Sequence, residues 1–199
     1  MIVVVRHGRT ASNAGGLLLG RADPDLDDVG RDQAERVAAA LAGDDAPAID
    51  RIVASPLLRT ARTAQAIGAA SGVAVEHDER FIELDYGTWD QRPLADVSAA
   101  DWAAWRADVD FAPPGGESLA ALGRRVRAGL DELAEFARDH VVVVVTHVSP
   151  IKAAVAWAVG GGDEMAWRMF VAPASITRIA TSVGAPSLHS FNDCAHLQH

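Results

Sequence analysis

The sequence predicts an α/β fold, a three-layer α/β/α sandwich around a mainly parallel central sheet. Two observations carry this expectation. Short, wholly apolar, β-branched runs recur along the chain, as strands buried on both faces require. Between them lie segments whose apolar residues recur at helical spacing.

Residues 2–5 form the first such run and lead directly into Arg6-His7-Gly8-Arg9-Thr10. Ala34, Val37, Ala38 and Leu41 then mark one helical stripe. Residues 52–54 read as the second strand. Ser55-Pro56 follows as a helix start, a capping serine before a proline in the first turn. Leu57, Ala61, Ala64 and Ile67 are the apolar stripe of that helix. Between Gly87 and Gly116 the periodicity breaks down, with Trp89, Trp102, Trp105 and Phe111 scattered among prolines. Residues 88–116 are expected to be an insertion packed over the carboxyl edge of the sheet, with Trp102 and Trp105 on one short helical face. Leu119, Leu122, Val126, Leu130, Leu133 and Ala137 mark the longest helix. Residues 141–145 are the third strand, and Ser149-Pro150 repeats the helix-start signal. Ile151, Ala154, Val155 and Ala158 form its stripe, and Gly160 suits its end. Residues 176–180 are a fourth strand. One domain over residues 1–199 is the expectation.

With 49% hydrophobic and 23% charged residues the composition is that of a globular protein, not a disordered or fibrous one. Lys and Arg number 18 against 27 Asp and Glu, a formal net charge of -9. That balance excludes the basic footprint of a nucleic-acid binder and the polybasic segment of a membrane-surface protein. An anionic substrate must therefore be met by local positive charge, because the global field repels it. Lys152 is the only lysine, a bias assigned to codon usage. The single cysteine, Cys194, excludes an internal disulfide framework and a multi-cysteine zinc site. The chain opens without the basic region and long apolar core of a signal peptide, so a soluble, cytoplasmic protein is expected. A single chain displays no symmetry; a homodimer is compatible with it.

In an open α/β sheet, ligands collect beyond the carboxyl ends of the strands. The first strand ends in Arg6-His7, the second leads to Arg59, and the third ends in Thr146-His147. Two histidines and two arginines are thus expected on one edge, with two helix N-termini aimed at it. Arginine binds phosphate oxygens bidentately and keeps its charge. A histidine with one ring nitrogen tied to the backbone presents the other as a nucleophile. No GxxxxGK[ST] loop occurs and no GxGxxG follows the first strand, so nucleotide binding by glycine loops has no support.

Five motifs stand in a recognisable order. They are Arg6-His7-Gly8; Ser55-Pro56-Leu57 with Arg59, Thr63 and Ala64; Glu83-Leu84-Asp85-Tyr86-Gly87 with Trp89; Pro114-Gly115-Gly116-Glu117-Ser118; and Val144-Val145-Thr146-His147. Together with Asn13, Gly20, Asp23-Pro24, Leu26 and the tail Phe191-Asn192-Asp193, His196-Leu197, the chain resembles the histidine phosphatase superfamily, the phosphoglycerate mutase-like proteins. The tail is similar to that of small acid phosphatases and α-ribazole-phosphate phosphatases. The resemblance implies a metal-independent phosphatase of small phosphomonoesters, with no cofactor. By that resemblance His7 takes the phosphoryl group, while Arg6, Arg59 and His147 hold its oxygens. Glu83 protonates the leaving oxygen and then activates water. Asn13 lines the pocket, Arg9 and Thr10 approach the phosphate, and the Val148 N–H serves the same anion.

Glu83 must carry a proton when substrate is bound, and the adjacent phosphate dianion favours this. An activity optimum below neutral pH is therefore expected. Three departures from the family pattern bear on the pocket: Val148 for the usual glycine, with strain expected if φ is positive; Asp90-Gln91 for Glu-Gly; and Asp27 for threonine. Asp85, two residues from Glu83, is a rival for the acid role. The alternative to hydrolysis is mutase-type transfer, which the short span from Gly87 to Gly116 disfavours because a mutase must shield its phosphohistidine from water. A non-catalytic phospho-ligand binder is disfavoured by the presence of both His7 and Glu83. The remaining histidines, and Cys194, are assigned to surface or packing.

Overall fold

The computed structural model describes residues 1–43 and 46–198. Six strands form one sheet: β1 (Ile2–Arg6), β2 (Arg51–Ala54), β3 (Val75–His77), β4 (Val142–Thr146), β5 (Ile176–Ala180) and β6 (Ser187–Asp193), in the order β3-β2-β4-β1-β5-β6. The first four are mutually parallel, and β5 and β6 add an antiparallel edge. The α/β sandwich with a mainly parallel sheet is thus what the chain forms. β3 and β6 escaped the sequence reading. β3 is only three residues long, and β6 is a half-exposed edge strand without an apolar run.

The helices are α1 (Ala11–Ala14), α2 (Asp28–Ala42), α3 (Leu58–Ser71), α4 (Ala99–Ala107), α5 (Leu119–Phe136) and α6 (Val148–Val159). The period-2 alternation of strand side chains assigns them to two layers. Val3, Val5, Ile52, Ala54, Val143 and Val145 pack against Val37, Ala38 and Leu41 of α2 and Ala64 and Ile67 of α3. Their neighbours Ile2, Val4, Val53, Val142 and Val144 pack against Leu122, Val126, Leu130 and Leu133 of α5 and Ile151, Ala154 and Ala158 of α6. Every residue in the four expected helical stripes is buried. No described helix is long and apolar enough to cross a membrane.

Both serine-proline helix starts need correction. α3 begins at Leu58, with Leu57 as its cap residue and no side-chain cap. α6 begins at Val148 with His147 as its cap residue, which places Ser149 and Pro150 inside its first turn. Proline is tolerated there because the first-turn N–H groups have no intrahelical acceptor. Val148 is helical, so the strain expected from a positive φ does not arise. Gly160 ends α6 in the left-handed conformation, as its position predicts.

The loop after β1 is locked by close backbone approach. A Cβ on Gly30 would lie 1.9 Å from the Arg9 carbonyl, and one on Gly8 would lie 2.2 Å from the Gly30 carbonyl. Asp27 caps α2 through the Gly30 N–H at 2.7 Å and pairs with Arg9 Nε at 2.8 Å. Its carboxylate thus serves as a helix cap, the role a threonine hydroxyl can fill, and adds an ion pair. Gly30→Ala is expected to push α2 off this loop and to cost about 1–3 kcal/mol or more of unfolding free energy. A urea melt checks this; a midpoint unchanged from wild type would mean that the loop yields freely.

Candidate active site

His7 follows β1, Ser55 follows β2 and His147 follows β4, so three parallel strands deliver them to one edge. The two imidazoles meet edge to face with centroids 5.1 Å apart. Both are buried, His7 at 2% exposure and His147 at 0%. His7 Nδ1 lies 2.7 Å from the Gly8 carbonyl. A carbonyl only accepts, so Nδ1 carries the proton and Nε2 keeps its lone pair. The Gly8 N–H donates to Thr63 Oγ1 on α3, and the Ala174 N–H donates to the His7 carbonyl. These bonds clamp the backbone around His7 from two directions.

Arg59, on α3, is fully buried. Its Nε donates to His147 Nδ1 at 3.2 Å, Nη1 to the Ala22 carbonyl at 2.8 Å and Nη2 to the Gly20 carbonyl at 2.8 Å. A guanidinium donates only, so His147 Nδ1 is the acceptor and its Nε2–H points to Ser55 Oγ at 2.8 Å. Arg6 donates from Nη1 to the Val171 carbonyl at 2.6 Å, and its Nε is buried without an acceptor. Both guanidiniums therefore spend their charge on neutral acceptors and keep further N–H groups to offer. Burial lowers Arg6 to about 10, against the pull of Glu83, and lowers Arg59 as well.

Glu83 is 3% exposed and sits at the N-terminus of α6. Its carboxylate accepts from the Val148 N–H at 3.0 Å, the Ser149 N–H at 3.2 Å and its own neighbour Leu84 N–H at 2.7 Å. The Val148 N–H expected to meet phosphate is thus engaged by Glu83. Asp85 accepts from the Gly87 N–H at 2.8 Å, closing a turn.

The other expected pocket residues divide. Thr10 caps α1 and, with Asn13, completes a reciprocal capping box, which leaves the Asn13 amide nitrogen free to donate outward. Arg9 is turned to Asp27. Two supporting groups were not singled out as site residues. Asp90 accepts from the Gly20 and Ala22 N–H groups at 2.8 and 2.7 Å, and so holds the two carbonyls that hold Arg59. Asn192 accepts from the Ala172 N–H at 2.7 Å, and so steadies the segment whose Val171 carbonyl holds Arg6. The departure at Asp90 and the similarity of the tail were the only signals for them in the sequence.

Burial, reinforced by the charges of Arg59 and Arg6, holds His7 well below the ordinary imidazole value. Burial and Arg59, followed by His7, do the same to His147. Both rings are therefore neutral near pH 7, and a neutral ring is the nucleophilic form. The same shifts act on stability. With the folded pKa depressed, the unfolded chain binds more protons below pH 6.5, so the contribution of these rings is full above that value and is lost as pH falls. Unfolding free energy is expected to drop between pH 7.5 and pH 5, with a shallower drop in His147→Gln. Denaturant melts at the two pH values test this, and an equal drop in both proteins would exclude the ring as its source.

A profile of the histidine phosphatase superfamily (branch 1) matches residues 2–194. Bifunctional protein Rv2228c of Mycobacterium tuberculosis is 32% identical over 201 residues, covering 98% of this chain and 54% of that protein, so the chain spans about half of that relative's length. Phosphoserine phosphatase 1 of Hydrogenobacter thermophilus is 35% identical over 158 residues, which is 76% of this chain and 72% of that protein. The solved structure of mycobacterial glucosyl-3-phosphoglycerate phosphatase Rv2419c with VO3 superposes with a TM-score of 0.87 at 28% identity, covering 97% of this chain and 99% of that one. A sheet edge that gathers His7, His147, Arg6 and Arg59, and a match that runs nearly the length of the sequence, place this chain in the histidine phosphatase superfamily, branch 1.

Proposed function

We propose that the protein is a metal-independent phosphomonoesterase that works through a phosphohistidine on His7. One observation carries the reading: two buried guanidiniums, paired only with neutral acceptors, border an imidazole whose Nε2 is free. Glu83 offsets part of this buried positive charge, and a phosphate dianion would supply the remaining counter-charge. Some relatives are named probable phosphoglycerate mutase, but the phosphatase names of two others accord with hydrolysis. So does the short span from Gly87 to Gly116.

The chemistry runs in two displacements. His7 Nε2 attacks phosphorus, the ester P–O bond breaks, and the leaving oxygen takes a proton from Glu83. Water then gives a proton to the Glu83 carboxylate and its oxygen attacks phosphorus, breaking the N–P bond and releasing phosphate. Arg6 and Arg59 donate to the oxygens that gain charge in each transition state, and His147 joins them by turning its Nε2–H from Ser55 Oγ to the phosphate, the part a metal ion plays in other phosphatases. Asn13 lines the mouth of the pocket, and residues 88–116 cover the leaving-group side. The reading takes the substrate as a small phosphate ester and the location as the cytoplasm.

Turnover of p-nitrophenyl phosphate in EDTA, with acid-labile phosphohistidine trapped by rapid quench, tests the proposal. Absence of both would refute it. Glu83→Gln sharpens the test. On alkyl phosphates it is expected to lower kcat by about 10²–10⁴-fold, the worth of a general acid. On p-nitrophenyl phosphate the loss in the first step should be much smaller, because that leaving group needs no proton. Equal burst-phase losses on both substrates would remove Glu83 from the acid role.

A further inference from the structure

The segment Pro114-Gly115-Gly116-Glu117-Ser118 makes no hydrogen bond to His7, His147, Arg6 or Arg59 among the described residues, yet it grips the loop that carries Glu83. The Glu117 N–H donates to the Asp85 carbonyl at 2.9 Å, and the Thr88 N–H donates to the Pro114 carbonyl at 2.9 Å. A Cβ on Gly116 would lie 2.3 Å from the Asp85 carbonyl oxygen, and one on Gly87 would lie 2.2 Å from the Pro114 carbonyl oxygen. The two backbones therefore meet with no room for a side chain between them.

Arg125 on α5 holds the same loop through its side chain. A guanidinium has five N–H donors, and here all five are engaged. Nε donates to Glu117 Oε1 and Nη2 to Glu117 Oε2, both at 2.8 Å. Nη1 donates to the Arg80 carbonyl at 2.8 Å and the Ile82 carbonyl at 2.7 Å, and the second Nη2 hydrogen goes to the Glu83 carbonyl at 3.1 Å. Arg21 also approaches the Glu117 carboxylate, at 3.7 Å, in a longer and more exposed pair. Arg6 and Arg59 keep N–H groups to offer a phosphate, whereas Arg125 keeps none and has its charge matched by Glu117.

We propose that Arg125, aimed by Glu117, is the positioning residue of the general acid: it fixes the backbone at Ile82 and Glu83 so that the Glu83 carboxyl stands where the leaving oxygen arrives. This rests on the phosphatase reading above and adds two residues to that site. Proton transfer needs the two heavy atoms within about 2.6–3.2 Å, and a misplacement of roughly 1 Å can cost about 10²-fold. The carboxyl's own partners do not secure that placement throughout. Once Glu83 takes up the proton that it donates, its bonds to the Val148, Ser149 and Leu84 N–H groups lose their charge assistance. The bonds from Arg125 end on backbone carbonyls and are indifferent to that proton. A lysine ammonium has no planar fork and cannot bridge Glu117 to three carbonyls.

The test compares kcat/KM on glycerol 3-phosphate, whose leaving oxygen needs a proton, with kcat/KM on p-nitrophenyl phosphate, whose leaving oxygen does not. Arg125→Lys is expected to lower the first by about tenfold to a hundredfold more than the second. In a Glu83→Gln background the same substitution should move that ratio by less than about threefold, because the acid it positions is gone. A loss of packing alone would lower both substrates alike, and in either background. Glu117→Gln leaves the arginine in place and should shift the ratio in the same direction by about threefold to tenfold, so it carries the test if Arg125→Lys does not fold. A ratio that stays put in a folded variant overturns the inference, as does a full shift that persists in the Glu83→Gln background. If the wild-type protein hydrolyses both esters and the ratio does not move, only this inference fails. If it hydrolyses neither, the phosphatase reading fails and the inference with it.

Discussion

His7→Ala is expected to lower kcat on p-nitrophenyl phosphate by at least ~10⁴-fold and to abolish the trapped phosphoenzyme. The size of the effect follows from how little else at this edge could act as nucleophile. His147 has both ring nitrogens engaged, one by Arg59 and one by Ser55. Ser55 Oγ is itself held by that imidazole. His7 alone has an unshared lone pair, fixed by the Gly8 carbonyl and kept available by the burial that keeps the ring neutral. Its side chain makes no other hydrogen bond among the described residues, so the variant should melt close to the wild-type protein and bind inorganic phosphate at the arginines. Retention of activity within tenfold of wild type, in a protein purified to homogeneity, would show that the phosphoryl group does not pass through this ring.

The second large effect belongs to Arg59→Lys. Arginine here joins three groups at once: the Gly20 and Ala22 carbonyls and His147 Nδ1. A lysine ammonium cannot span that fork, so the substitution loses the orientation of His147 and two donors toward the phosphate. We expect kcat/KM to fall by about 10²–10³-fold, the loss typical of removing a preorganised donor. Stability should fall by about 1–3 kcal/mol, because the buried Gly20 and Ala22 carbonyls lose their donors while the positive charge stays in place. Inorganic phosphate raises the melting temperature of any form that binds it, so the wild-type protein should shift and Arg59→Lys should not. A variant that keeps both its activity and its phosphate-dependent shift would leave Arg59 with a structural role alone.

The layers were legible because strand and helix periods are local properties. The alternation in residues 2–5 and 142–145 assigns side chains to two faces before any partner is known, and both faces prove buried. The stripes of α2, α3, α5 and α6 are legible for the same reason. Short or half-exposed strands carry no such signal, which is why β3 and β6 were missed. The helix starts failed differently. Ser55 and Ser149 have the composition of caps, yet Ser55 is claimed by His147, and α6 is capped from outside by Glu83, distant in sequence.

By itself, the sequence determined the sandwich, the placing of His7 and His147 at the ends of parallel strands, and the residue types a phosphate requires. Those features follow from periodicity and from side-chain chemistry, which each residue carries with it. Only the tertiary structure decided which nitrogen of each ring is free, that Glu83 occupies the N-terminus of α6, and that Asp90 braces the loop holding Arg59. Hydrogen-bond direction and burial depend on which distant atoms arrive at a given point, and one-dimensional spacing contains no record of that arrival.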